Sequence, residues 1–488
     1  MALASTFYPN TIHTHNNNTL SLRTTRYYGS TSNSILFGSE LLPRSFFLSA
    51  AKPHTYRLSE IRPISASHET FDVVVIGAGI IGLTIARQLL IESDLSVAVV
   101  DKAVPCSGAT GAGQGYLWMV PKTPGSGKWD LALRSYRLWN VLAESLQKQG
   151  LNPLEELGWK KTGSLLVGRT QAESDMVKKR VKQLTEAGLK AEYLCSSDLF
   201  NREPALLVDE DSAAAFLPDD CQLDAHRTVA YIEKANKHFA LKGRYAEFYN
   251  EPVKCLIRGA SKGEVEAVET IKRTLYSKKA IIVATGCWTG SVMHDLVRNW
   301  GMQLNIPVRP RKGHLLVLEN FHSLQLNHGL MEAGYVDHQT ASSPPMVSGL
   351  EGYDHGRTLS VSMTATVDAM GNVLLGSSRE FVGFSTDLDE SIVNHIWKRA
   401  GDFFPTLKTL SLSDLSASRN VRVGLRPYMP DGKPVIGPVP GLSNLFLAAG
   451  HEGEGLSMAL GTAEMVTDMV LGRPTKVDDG PFCVHRCC

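Results

Sequence analysis

The 488-residue chain has no run of about twenty uninterrupted apolar residues, so no membrane span is expected. The longest candidate, 71–91, is broken by Asp72, Arg87 and several glycines. There is no charge excess either: 50 basic side chains face 49 acidic ones, a net +1. That balance gives no reason to expect a nucleic-acid partner. No internal repeat is present, and 43% hydrophobic with 20% charged residues excludes a disordered, collagenous or coiled-coil chain. The eight cysteines contain no CxxC pair, which argues against a secreted disulfide framework. Cys483-Val484-His485-Arg486-Cys487-Cys488 holds one His and no second ligand arm, so no metal is expected. Residues 476–488 read as a frayed tail.

Acidic residues are missing before Glu40, while residues 1–66 hold 18 Ser or Thr. Six basic residues against two acidic ones give this segment +4 and leave −3 for the rest. Arg-containing, hydroxyl-rich and acid-poor is the composition of an organelle transit peptide. Ile64-Ser65-Ala66 resembles a processing site, which places the mature start near Ser67. The expected address is the chloroplast, with the mitochondrion as the alternative. A disordered tail with no address is the plainer reading.

The segment after residue 70 carries chemistry. Phe71-Asp72-Val73-Val74-Val75-Ile76 is how a parallel strand buried on both faces reads. It runs into Gly77-Ala78-Gly79-Ile80-Ile81-Gly82, then a helical stretch, then a second strand, Ser96–Val100, that ends on Asp101. Gly77 permits a tight turn, Gly79 lets backbone approach a pyrophosphate, and Gly82 lets the helix pack on the strand. The helix N-terminus offers N–H groups to phosphates. Asp101, with Lys102 beside it, stands where a carboxylate meets ribose hydroxyls and disfavours a 2′-phosphate. Strand, loop, helix, strand and acid in this order point to a dinucleotide. A second small-residue loop, Ser107–Gly115, contains Ala109, Thr110, Gly113, Gln114 and Gly115 and can close over an elongated cofactor. By composition alone it could equally be a surface loop.

Four blocks, in order, make residues 71–472 resemble the D-amino-acid oxidase-like family of FAD-dependent oxidoreductases, in its glycine oxidase, sarcosine oxidase and D-amino-acid dehydrogenase branch. They are the two glycine loops just read; Gln222-Leu223-Asp224 with a helix expected over 228–240 and a strand near Pro252-Val253-Lys254; Ala280–Trp288 followed by Ile306–His314; and Gly424–Gly437 followed by Ala448–Leu456. The resemblance implies an α/β fold: a Rossmann-like FAD domain of the glutathione-reductase type, interleaved with an α+β substrate domain carrying a mixed or antiparallel sheet. Segments 70–125, 205–300 and 420–475 are assigned to the first, and 126–204 and 301–419 to the second. Residues 159–168 and 371–376 read as strands of the second, with Gly371-Asn372 as a turn. The polar stretch 326–359 reads as a loop over the pocket.

The resemblance also implies roles. Val253 lies at the adenine, Thr285 and Gly286 over the dinucleotide, and Gly450, Gly455 and Leu456 at the start of a last helix, expected over 457–471, that faces the flavin. Arg426 stands where the branch clasps a substrate carboxylate; the plainer alternative is an Arg paired with Asp431. His451 either contacts ring or substrate, or satisfies backbone. After His451 come Glu452-Gly453-Glu454, without the second Arg that glycine oxidase-like enzymes supply there. Those acids suit either a basic substrate group or solvent. The 107–115 loop has no His or Cys, and Gly424–Tyr428 has no Cys where sarcosine oxidase-like proteins place theirs, so FAD is expected to be non-covalent. The implied reaction is oxidation of the C–N bond of a small amine or amino acid, with no general base named and with oxygen or an unknown carrier as acceptor. A 2-hydroxy-acid dehydrogenase and a flavin-binding assembly protein without turnover are the alternatives.

Overall fold

The apolar run at residues 71–76 is a strand, and its neighbours are parallel. The computed structural model describes residues 67–259, 263–302, 304–336 and 359–487. Residues 1–66 and most of the 326–359 stretch therefore lie outside the described residues. Ser67–Ile76 pairs parallel with Arg273–Val283 on one side and Val97–Val100 on the other. The full path runs Val435–Val439, Leu442–Ala449, Arg273–Val283, Ser67–Ile76, Val97–Val100, Tyr245–Phe248, and an antiparallel pair, Val253–Arg258 and Val265–Thr270, is attached to Arg273–Val283. Side chains alternate across such a strand. Val73 and Val75 join a core with the helix Ile80–Glu92, and Val74 and Ile76 join a core with Val265, Val268 and the helix Thr289–Val297. Burial on both faces is why the run is continuous rather than alternating.

The second sheet is built differently. Its order is Arg419–Tyr428, Arg309–Leu318, Val373–Arg379, Ser360–Val367, Gly329–Glu332, Ser164–Gly168, Ala213–Leu217, Glu192–Leu194. Every pair is antiparallel except Gly329–Glu332 with Ser164–Gly168. The helix Glu390–Phe403 lays Ile392, Val393, Ile396 and Ala400 on its core, and Asp389 caps it by accepting from Ser391 N at 3.0 Å. Gly371, at φ +86°, makes the expected turn, and Asp368 Oδ1 accepts from Asn372 N at 2.9 Å.

Some expected boundaries move. Ala213–Leu217 and Arg419–Tyr428 belong to the second sheet, not to the cofactor segments 205–300 and 420–475. Their ladders decide this: Arg419–Tyr428 pairs along its whole length with Arg309–Leu318. The strand expected over 159–168 starts only at Ser164, after the turn at Gly163 (φ +68°). The helix expected over 228–240 is Ala225–Lys237, because Asp224 accepts from Arg227 N at 2.8 Å and starts it earlier. Within the expected loop 326–359, residues 329–332 form a strand. The tail is not frayed. Phe482 and Val484 are buried, and Arg486 pairs with Asp431 while Nη2 donates to Lys433 O at 2.9 Å.

The site depends on how closely the first helix lies on the first strand. A Cβ on Gly82 would stand 1.9 Å from Gly77 O and 3.2 Å from Val75 Cγ1. Backbone occupies that space, so the helix must shift to admit a methyl group. Gly82→Ala is predicted to lose about 1–3 kcal/mol of stability. Denaturant unfolding checks this, and an unchanged midpoint contradicts it.

Candidate functional site

A cavity of about 540 Å³ runs from the first glycine loop to the second sheet. At one end stands the helix Ile80–Glu92. Gly79 gives it no side-chain cap, and no acid lies in its first turn. A Cβ on Gly79 would meet only Thr110 Oγ1, at 3.4 Å, so its open side faces the cavity. Gly77 takes φ +116° because a Cβ there would stand 2.4 Å from Ala284 O. Ile80 N donates to Thr110 Oγ1 at 3.2 Å, and the N–H groups of a helix end of this kind can hold a phosphate. Asp101 holds the loop that forms it: Oδ2 accepts from Ala78 N at 2.7 Å and Oδ1 from Ala103 N at 2.8 Å.

Most of the expected cofactor residues line this cavity: Gly77, Ala78, Gly79, Ile80, Ile81, Asp101, Lys102, Ala109, Thr110, Gly113, Val253, Thr285, Gly286, Gly455 and Leu456. Lys102 Nζ lies 3.7 Å from the centroid of the Trp288 ring, which also lines it. Three expected residues do not line it. Gly82 serves helix packing. Gly115 (φ +92°) sits against Leu223 O, where a Cβ would approach to 2.0 Å. Gly450 (φ +79°) makes room for Met429, whose Cγ a Cβ would meet at 2.5 Å. Gln114 does reach the cavity, but its amide is used on the second sheet: Nε2 donates to Thr366 Oγ1 at 3.1 Å, and Oε1 accepts from Thr364 Oγ1 at 2.8 Å. The lining cysteines, Cys106 and Cys287, have thiols pushed up to about 12 by burial and remain protonated.

The other end is polar and buried. Arg426 lines it, donating from Nη1 to Ser378 O at 2.9 Å. Its guanidinium fills the space opposite Gly313, where a Cβ would meet Nη1 at 2.0 Å. Desolvation lowers its pKa, as does the neighbouring Arg379. Its cross-strand partner Arg311 is neutralised by Glu452, with Nε donating to Oε1 at 2.9 Å. Asp431 pairs with Arg486 and Lys433, so it does not hold Arg426.

The two acids after His451 are both engaged within the protein. Glu452 holds Arg311, and buried Glu454 accepts from Lys122 and Lys128. Burial pushes Glu454 up, but the two lysines outweigh it and hold it at about 2. Neither acid is surface charge; Glu454 is fully engaged, while Glu452, which lines the cavity, keeps Oε2 without a hydrogen-bond partner among the described residues. His451 lines the cavity with its Nε2 3.0 Å from Thr462 Oγ1, and burial lowers it to about 4. It is neutral near pH 7 and anchored on the last helix, Gly455–Leu471, which begins two residues earlier than expected. Its place supports holding the turn rather than moving a proton.

Sequence reasoning missed Tyr116 and Tyr335, which line the same end with hydroxyls 2.9 Å apart. It also missed Arg379, whose guanidinium lies 4.2 Å from the Tyr335 ring centroid. No local motif marks these residues; the register of the second sheet and the stretch before residue 336 bring them together. Among the described residues no cluster of His, Cys, Asp or Glu could hold a metal, and no helix is long and apolar enough to cross a membrane.

A family model described as FAD dependent oxidoreductase (DAO) matches residues 72–469. Among solved structures, glycine oxidase from Geobacillus kaustophilus superposes with a TM-score of 0.67 at 22% identity, over 85% of this chain and 98% of that one. L-proline dehydrogenase from P. horikoshii gives 0.69 at 20% identity, over 86% and 98%. Iminodiacetate oxidase from Chelativorans sp. BNC1 gives 0.65 at 20% identity, over 84% and 98%. At these identities the likeness is one of fold.

The depressed His451 has a consequence for acid stability. Between its usual value of about 6.5 and its folded value of about 4, the unfolded chain binds a proton that the native chain does not. Stability from this group therefore falls as pH falls through that window. His451→Gln is predicted to flatten the acid limb by up to about 1.4 kcal/mol per pH unit. Denaturant midpoints between pH 4 and 7 check this; parallel limbs contradict it.

Proposed function

The chain belongs to the family of FAD-dependent oxidoreductases, and on that premise we propose that it oxidises the C–N bond of a small amine or amino acid that carries a carboxylate. The observation that supports this reading is Arg426. It is a half-buried guanidinium lining the cavity end, with no carboxylate in ion-pair reach among the described residues. A planar guanidinium can take a carboxylate bidentately and fix the adjacent carbon. The proteins that share the fold include enzymes named for glycine, L-proline and iminodiacetate, each an amine with a carboxylate.

The residues fit FAD. The bare helix end at Gly79–Ile80 suits the pyrophosphate, Asp101 the ribose, Val253 the adenine side, and the Gly453–Leu456 turn the flavin. The start of the helix Gly455–Leu471 lines the cavity there and favours negative charge. FAD supplies a two-electron acceptor for the hydride leaving the substrate carbon. The chain's own work is to hold the carboxylate at Arg426 and to shield the reacting carbon from water. The carbon and nitrogen then form a C=N bond, which water hydrolyses to a carbonyl and a free amine. The protonated state of Cys106 and Cys287 supports non-covalent cofactor binding. Residues 1–66 are proposed to direct import into the chloroplast; a reporter fused to them should enter plastids, and retention in the cytosol contradicts that address.

Anaerobic titration with glycine, L-proline, iminodiacetate and a 2-hydroxy acid tests the reaction. Bleaching by an amine is expected; bleaching by the hydroxy acid alone, or by nothing, contradicts the proposal. Arg426→Ala is predicted to weaken carboxylate substrates by about 1.5–3 kcal/mol, roughly tenfold or more in KM, with the yellow spectrum intact. An unchanged KM removes Arg426 from the site.

A further inference from the structure

Oxidation of an amine meets an obstacle that Arg426 does not remove. At neutral pH a small amine enters as an ammonium. Its nitrogen then has no lone pair with which to form the C=N bond as hydride leaves. One proton must go somewhere, and most groups lining the cavity cannot take it. His451 holds Thr462. His314 lies with Nδ1 3.0 Å from Ser378 Oγ, and its Nε2 accepts from Asp389 N at 3.3 Å. Glu452 is paired with Arg311 through Oε1, its Oε2 being buried without a hydrogen-bond partner among the described residues, Glu454 is committed to Lys122 and Lys128, and both lining cysteines are protonated.

The tyrosine pair differs. Tyr116 and Tyr335 line the cavity with hydroxyls 2.9 Å apart. Two guanidiniums, the buried Arg379 and the half-buried Arg426, stand beside Tyr335. Arg379 donates from Nη1 to Ser362 Oγ at 3.0 Å, while its Nη2 is buried without a hydrogen-bond partner among the described residues. Other buried cations near the cavity have carboxylates: Lys122 has Glu454, Lys312 has Glu380, and Arg311 has Glu452. Arg379 and Arg426 have none among the described residues. Two uncompensated charges in a low-dielectric site call for an anion.

We propose that Tyr335 supplies it: in the resting protein Tyr335 is a phenolate held by Arg379, Arg426 and the Tyr116 hydroxyl, and it is the base that takes one proton from the substrate ammonium. This rests on the amine-oxidation reading above. The charge environment agrees. Burial pushes the Tyr335 hydroxyl up, but Arg379, Arg426 and the hydrogen bond from Tyr116 outweigh it and hold it below its usual value. Tyr116 goes the other way; burial, Tyr335 and Glu454 keep its proton on, so it donates. The charged groups facing this pair are Arg379 from the strand Val373–Arg379, Arg426 from Arg419–Tyr428, and Glu454 from the turn before the last helix. Glu452 and Arg311 act at one remove, through Arg426. In the step, one N–H bond breaks and one O–H bond forms, leaving a neutral amine and a neutral phenol. The proton returns to solvent when product leaves.

The test needs no substrate. Ultraviolet absorbance of the flavin-loaded protein is followed against pH, and the trace of Tyr335→Phe is subtracted. One tyrosinate is expected to persist near neutral pH, well below the usual tyrosine value of about 10. Coincident traces would falsify the proposal. Arg379→Gln and Tyr116→Phe serve if Tyr335→Phe does not fold: each should move that titration upward, and an unmoved titration overturns the assignment. With glycine or L-proline, anaerobic flavin reduction by Tyr335→Phe should fall tenfold or more near neutral pH and recover above the pKa of the amine. An unchanged neutral rate overturns the role as base. If none of glycine, L-proline and iminodiacetate reduces the wild type, the amine-oxidation reading fails, and the titration alone judges the phenolate.

Discussion

The contact between Gly82 and the Gly77 carbonyl is the constraint on which the rest of the site depends. It lets one helix lie against a strand buried on both faces, and so sets the bare end of that helix at the mouth of a cavity. A side chain at Gly82 would push the helix away and withdraw its N–H groups, and one at Gly77 would strike Ala284 O at the end of the neighbouring strand. Asp101 then ties the loop between them to the end of the second strand, accepting from Ala78 N and from Ala103 N. The proposed phosphate cradle is thus made of backbone, set by packing and by the Asp101 carboxylate.

Charge arranges the opposite end. Buried ion pairs are weak evidence of stability, but breaking one is costly, so the pattern of which groups are paired carries information. Glu452 and Glu454, just before the last helix, neutralise Arg311, Lys122 and Lys128. Among the described residues, that leaves Arg426 and Arg379 without a carboxylate partner at this end of the cavity. Gln114 ties the cofactor loop to Thr364 and Thr366 of the second sheet, so the two ends are held in one register.

The cofactor end was legible in the sequence because its logic is local. Gly77, Gly79, Gly82 and Asp101 lie within 25 residues and follow strand, turn, helix and strand in order. Even there, Gly115 and Gly450 proved to serve packing, since a motif cannot tell a glycine that opens space for a ligand from one that opens space for Leu223 or Met429. Arg426 was legible through resemblance alone. Tyr335, Arg379 and Lys122 were not legible at all, because each meets its partner, Tyr116, Tyr335 and Glu454 in turn, only through sheet pairing and loop closure. The same physics misplaced Ala213–Leu217 and Arg419–Tyr428: composition marks a strand, while its sheet is decided by distant partners. The docked tail was hidden likewise, its burial resting on Asp431 and the carbonyls beside it.

The central claim is that one cavity holds FAD with its phosphates at Gly79–Ile80 and its ring beside Arg426 and the Tyr116–Tyr335 pair. A crystal structure of the flavin-loaded protein with an unreactive small carboxylate tests this most directly. Pyrophosphate oxygens are expected at the N-terminus of the helix Ile80–Glu92, and the carboxylate on Arg426 within reach of the flavin ring. A ring placed away from Arg426, or a carboxylate bound elsewhere, would contradict the claim.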